Sequence, residues 1–304
     1  MVSHKEITDD VIKAEVERTF RITRTRRRIV DTVAVYFLGF CALLVVGALF
    51  NILSHLMIKG FSSINMEFLM HLPKPVGEKG GGMGNAIAGT MTLLGLAVIV
   101  GVPIGLGAGI YLSEYAHARF ANVVRFTTDV MNGIPSIVYG IFAYTILVKP
   151  WKGFSALSGG VALGVMMIPM ITRTSEQFVR MVPNSLREAG LALGVPKWKV
   201  TLDIILPVSI GGIMTGIMSS LARVAGETAP LLFTAFGNRF WQSSLTDPIA
   251  ALPLQIFAYA ISPYDDWHRQ AWAGALVLIT LVFLINLLSN YFVNRQKRIF
   301  SGSA

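Results

Sequence analysis

The chain has 304 residues, 53% of them hydrophobic and only 14% charged, with a mean hydropathy of +0.60. Soluble domains carry about 25% charged residues, so a water-borne globular protein is excluded and lipid is the expected solvent. The net charge of +9 then speaks first to membrane topology rather than to nucleic acid.

In chain order, residues 1–28 form an Arg-rich tail. Ile7, Val11, Ile12, Val16 and Phe20 recur there at roughly helical spacing ahead of Arg24, Arg26, Arg27 and Arg28. This predicts an amphipathic elbow lying on anionic lipid. The apolar run that follows is too long for a signal-peptide core. Residues 29–298 read as a membrane domain and 299–304 as a tail. Six stretches in the domain are apolar and long enough to cross a hydrocarbon core of about 30 Å as helices. They cover about 32–58, 84–112, 126–148, 155–178, 205–237 and 270–294. The expected fold is therefore an all-α integral membrane protein with six transmembrane helices. Gly80, Gly81, Gly82 and Gly84 predict a loop before the second span. Within that span, the pairs Gly101/Gly105 and Gly105/Gly109 predict close helix packing. Pro103 and Pro135 are kinks that neighbouring helices tolerate. Cys41 lies in an apolar run and supports neither a disulfide nor a metal site.

Lys and Arg distribute unevenly between alternate loops. The N-terminal tail, the loop after span two, the loop after span four and the C-terminal tail hold 17 of the 26. The opposite side holds seven, which leaves Arg173 and Arg223. The positive-inside rule places both termini and the loop after span four in the cytoplasm. Two longer segments, Lys59–Gly82 and Arg239–Arg269, then face outward, either to dock an external partner or to cap the helices.

The loop at 184–207 is too amphipathic for a span and too patterned for a linker. Leu186, Ala189, Leu193, Trp198 and Val200 fit one face of a short helix-turn-helix, with Gly194 at the turn, Pro196 opening the second helix and Pro207 entering span five. Glu188-Ala189-Gly190, then Gly194, then Ile204, Leu206 and Pro207 follow the spacing E-A-A-x3-G-x9-I-x-L-P, with Gly190 in place of the second Ala. This resembles the EAA loop of importer-type ABC transporter permeases. The resemblance implies a MetI-like permease core and coupling helices that dock on a separate ATP-binding subunit. In agreement, no G-x4-G-K-[ST] loop occurs to cradle ATP phosphates. The chain is thus expected not to be an enzyme by itself, to hold no cofactor or metal, and to depend on ATP and Mg bound by a partner.

The stretch Ile204–Asn238 is uncharged except for Arg223 and Glu227. An ionisable group inside a span costs about 2.5–3.5 kcal/mol on insertion scales and is a functional hypothesis by default. At i,i+4 the two can pair along a helix, but an apolar pair would serve packing as well. Arginine suits oxyanions, because its planar fork donates two parallel hydrogen bonds and stays charged when dehydrated. Arg173, at the end of span four, is a second candidate, or else a helix end reaching toward the cytoplasm. Thr228, like Thr172 and Thr174, can add a hydroxyl.

Four stretches extend the resemblance: Met83–Thr90 (MGNAIAGT), Asn132–Tyr144 (NGIPSIVYGIFAY), Ile168–Phe178 (IPMITRTSEQF) and Gly226–Ala235 (GETAPLLFTA). They are similar to the signature stretches of the phosphate-permease (PstA) family, from about Met83 to the C-terminus. The resemblance implies inorganic phosphate as substrate and a bacterial inner-membrane complex. Its partners would be a sister permease (PstC-like), two ATP-binding subunits (PstB-like) and an extracytoplasmic phosphate-binding protein (PstS-like). Site residues carried over are Arg223, Glu227, Arg173 and Thr228 for the substrate path. For ATPase coupling they are Glu188, Ala189, Gly190, Gly194 and Pro207. Alternatives left open are another oxyanion such as sulfate or molybdate, and a secondary transporter or channel that works without ATP.

Overall fold

The computed structural model describes residues 4–301 except Lys79, without the side chains of 4–26, 29, 289, 290 and 292–301. The side chains of the expected elbow therefore lie outside the described residues. The chain divides into two compact units, Met1–His55 and Leu56–Ala304. The first unit holds α1 (His4–Phe61) only as far as His55; α1 is one uninterrupted helix whose backbone continues without a break from the Arg-rich tail into the first expected span.

In the second unit the helices are α2 (Met66–Met70), α3 (Gly84–Glu114), α4 (Ala118–Gly133), α5 (Ser136–Ala143), α6 (Lys149–Trp151) and α7 (Ala156–Arg180). They continue as α8 (Asn184–Ala192), α9 (Lys197–Val200), α10 (Leu206–Ala225), α11 (Ala229–Thr234), α12 (Leu252–Ala260) and α13 (Asp265–Ser301). Among the described residues there is no strand, only an isolated bridge between Phe236 and Ile249. Five helical segments among the described residues are long and apolar enough to cross a membrane, and a bent pair makes a sixth if counted as one span.

The glycine spacing of α3 works as helix packing. A Cβ on Gly105 would stand 2.8 Å from the Ile171 Cβ, and one on Gly109 would stand 2.6 Å from the Ser175 Cβ. Only the missing side chains let α3 and α7 approach this closely. On an adjoining strip of α7, Phe178 fills the notch at Gly212 and Thr174 the notch at Gly216, both on α10. Leu93, Leu163, Met167, Ile171, Ile213 and, from α11, Leu231 are fully buried where these helices meet.

Three features depart from straight spans, each with a backbone cause. The expected span 126–148 is a helix pair bent by 102° at Ile134-Pro135. A residue before proline is pushed out of the helical region, and Ile134 is extended at ψ 131°. The Tyr139 hydroxyl donates to the Met131 carbonyl at 2.7 Å, and the Ile134 N–H donates to the same carbonyl at 3.2 Å, so the bend is braced from both of its arms. Second, the expected span 205–237 ends as a helix at Ala225; Gly226 caps it, and a new helix starts at Ala229-Pro230. Hydropathy does not register this break, because glycine and proline interrupt the backbone without adding charge. Third, α9 runs into α10 through a wide π turn at Thr201–Ile205, and α5 runs into α6 through another at Tyr144–Val148. Each precedes a proline, Pro207 or Pro150, which has no N–H to return to the carbonyl four residues back.

The segment after α11 is more than a cap. Ile249, Ala250, Ala251 and Leu252 are buried, and the Ala250 carbonyl crosses α3 at Gly89. The Leu252 N–H donates to Thr90 Oγ1 at 2.8 Å, and Asn85 Nδ2 donates to the Asn238 carbonyl at 2.7 Å. The loop before α3 is tied to α2: the Gly81 N–H donates to Glu67 Oε1 at 3.1 Å and Lys74 pairs with Glu67 at 3.3 Å. The Gly81 N–H first, then Lys74, hold the Glu67 carboxyl below its ordinary value.

Candidate functional site

Arg223 lies in the last turn of α10, where its charge complements the helix's negative end. Glu227 and Thr228 lie beyond that end, in the break before α11. The one-turn relation expected of Arg223 and Glu227 is thus lost, and no ion pair joins them. Arg223 is exposed on this chain, Glu227 and Thr228 are half-buried, and none makes a side-chain hydrogen bond among the described residues. The break itself is firmly seated, since a Cβ on Gly140 would stand 2.8 Å from the Pro230 Cα. The Thr234 carbonyl accepts from the Ser155 N–H at 3.0 Å and the Ser158 hydroxyl at 2.9 Å.

Arg173 is placed elsewhere and is fully engaged. Its Nε meets Asp129 Oδ1 at 2.9 Å, and its Nη1 meets Glu176 Oε2 at 3.3 Å. Its neighbour Thr174 packs at Gly216, two turns before Arg223 on α10. That separates the two arginines by about 10 Å along the axis, and no contact joins them. Glu176 was missed by reading the sequence. Its carboxylate is 2% exposed and takes Arg125 at 2.6 Å and Arg180 at 3.3 Å as well as Arg173. A signal for it was present, because Arg173, Glu176 and Arg180 stand at i,i+3 and i,i+4 on one helix. The links to Arg125 and Asp129 on α4 carry no such signal. Burying a carboxylate requires this much compensation. Three guanidinia against two carboxylates leave the cluster one positive charge in excess.

At the far end of α3 and α7, α8 and α9 form the helix-turn-helix. Gly194 takes the left-handed conformation at φ 74° after α8, and Pro196 caps α9. Glu188 and Ala189 are exposed, and Gly190 is buried. A Cβ on Gly190 would stand 2.9 Å from a Val200 methyl, so the glycine lets α8 seat closely on α9. Of the face expected to pack inward, only Val200 is buried; Leu193 is 83% and Trp198 59% exposed.

The family described as binding-protein-dependent transport system inner membrane component matches residues 101–298, which hold every site residue above. The phosphate transport system permease protein PstA of Yersinia pestis is 44% identical over 79% of this chain and 81% of its own length. That of Xylella fastidiosa is 41% identical over 90% and 95%. The chain belongs to the PstA family of phosphate permeases. Its fold is that of solved ABC permeases: a chain of the MetNI methionine ABC transporter, inward facing, superposes with a TM-score of 0.59 at 20% identity, covering 70% of this chain and 97% of that one. For a PstA-family permease the arrangement has a plain chemical sense. Among the described residues one arginine is left without a partner at a broken helix, and another sits in a closed ion-pair cluster deeper along the same bundle.

Proposed function

We propose that the chain is the transmembrane permease subunit of an ATP-driven importer of inorganic phosphate and that phosphate passes Arg223. The observation that carries this is an exposed, unpaired guanidinium at a helix break within apolar spans. Such a charge cannot face hydrocarbon. It must meet water, another subunit or an anion. The fork of Arg223 suits a phosphate oxyanion. Glu227, with no Arg223 to neutralise, is placed to accept the P–O–H hydrogen that sulfate lacks at neutral pH. Thr228 adds a hydroxyl. Arg173 meets phosphate only after Asp129 on α4 releases it, which makes the bend at Pro135 a natural moving part.

ATP and Mg are bound by a separate subunit that docks on α8 and α9 at Glu188, Ala189, Gly190 and Gly194. From there the helix enters α10 through the wide turn before Pro207. Both termini lie in the cytoplasm of a bacterial cell. A sister permease covers Arg223, and an extracytoplasmic phosphate-binding protein delivers substrate at the opposite end. The test is labelled-phosphate uptake by assembled complexes carrying Arg223→Gln, with sulfate as competitor. Uptake is expected to collapse while assembly and ATP hydrolysis persist. Undiminished uptake removes Arg223 from the path, and equal inhibition by sulfate removes phosphate selectivity.

A further inference from the structure

The Arg187 guanidinium is saturated. Nε donates to Glu114 Oε1 at 3.0 Å, and Nη2 donates to the same oxygen at 2.7 Å and to the Val179 carbonyl at 2.7 Å. Nη1 donates to the Val182 carbonyl at 2.5 Å and to Asn184 Oδ1 at 3.2 Å. All five N–H groups of an arginine are thereby used. They reach three elements: the last residue of α3, the carbonyls ending α7 and the first residue of α8. Glu114 is 5% exposed and Arg187 17%. Beside them, Lys197 at the start of α9 donates to the Glu114 carbonyl and lies 4.7 Å from the centre of the Tyr115 ring. Arg125, by contrast, leaves its buried Nη2 without a partner. Lysine cannot reproduce the Arg187 arrangement, having three donors on one atom and no fork.

We propose that Arg187 is a positioning residue for coupling: it locks α8 to the ends of α3 and α7, so that a push on α8 moves all three as one body. This rests on the reading of α8 and α9 as the ATPase docking element. A second connection supports it. Lys197–Ala225 is a continuous helical segment, so the same push reaches Arg223 through α10. The bent pair α4–α5 receives no bond from Arg187. It is held to α7 through Arg125, Arg173 and their carboxylates. Rigid-body motion of the clamped helices against α4 is the hinge-and-shear form of such transitions.

The test uses the whole complex in a Cys41→Ser background with spin labels at Met181→Cys, at the end of α7, and Leu193→Cys, at the end of α8, across the clamp. In the otherwise native complex the label distance is expected to be the same with and without trapped ATP. In Arg187→Lys it broadens on ATP binding. Uptake then falls about tenfold or more, the scale of one lost charge-assisted hydrogen bond, while hydrolysis falls far less. Glu114→Gln, a milder change, shows the same split to a smaller degree. A native distance that changes with ATP overturns the proposal, as does uptake that falls only in proportion to hydrolysis. Failure of both variants to assemble overturns it too, since Arg187 would then serve docking alone. If native complexes bind the ATPase but take up no phosphate, the substrate reading fails while the distance measurement still decides the clamp.

Discussion

The helix break at Gly226–Thr228 and the cluster around Glu176 use the same residue types to opposite ends. At the cluster every carboxylate is met, and Glu176 holds three arginines while 2% exposed. At the break Arg223 and Glu227 are close in sequence and yet unpaired, because the helix that would align them stops between them. A saturated charge resists change, since opening it exposes a desolvated partner. An unsaturated charge waits for something outside the chain. On the proposed reading of Arg223, the difference separates a latch from a ligand site more clearly than residue identity does.

The strongest attempt to break this contrast is Arg223→Gln. Removing one partner of a desolvated charged contact costs about 2–5 kcal/mol, so phosphate uptake should fall at least about 30-fold. The melting temperature of the purified chain should barely move, because Arg223 makes no side-chain hydrogen bond or ion pair among the described residues. Glu176→Gln should behave in reverse. It leaves three guanidinia facing a neutral amide, and a loss of about 3–5 kcal/mol is expected, read as a clear fall in melting temperature. Should Glu176→Gln melt like the native chain, the cluster is not a latch. Arg173→Lys keeps the charge but loses the fork that spans Asp129 and Glu176. The expected cost is about 1–2 kcal/mol, with stability below the native chain and above Glu176→Gln. The smallest effect concerns the Glu67 link on the segment before α3. Its carboxyl is held below its ordinary value of 4.5. The link therefore stabilises the loop fully above pH 4.5 and weakens as pH falls through the lower folded value. Hydrogen exchange at the Gly81 amide, corrected for its intrinsic rate, should quicken only in that acid window. Being solvent-exposed, the link should leave global melting unchanged.

Much of this was legible in the sequence. Hydropathy located the apolar stretches, and the glycines at 101, 105 and 109 announced a close helix contact. The spacing from Glu188 to Pro207 marked a helix-turn-helix at the right place. Breaks were harder. Proline at 135 reads equally as a tolerated kink or a sharp bend, and only packing decides, here Tyr139 reaching Met131. The window 204–238 reads as one span because no charge interrupts the glycine and proline that end the helix. Tertiary ion pairs were beyond reach for a different reason. Asp129 and Glu114 find their arginines through folding across long separations, and no local period encodes that.

The wide turn at Thr201–Ile205 sets a phase. Each residue advances a helix by about 100°, so the angular offset between the α9 surface and the Arg223 side chain depends on that turn holding one residue more than a regular one. Deleting a single residue there would leave length, hydropathy and every charge nearly intact. It would nevertheless turn Arg223, and the break that follows it, by about 100° relative to α8 and α9. Spacing in this short segment works like the indexing of a gear, and sequence variation there should be far narrower in length than in residue type.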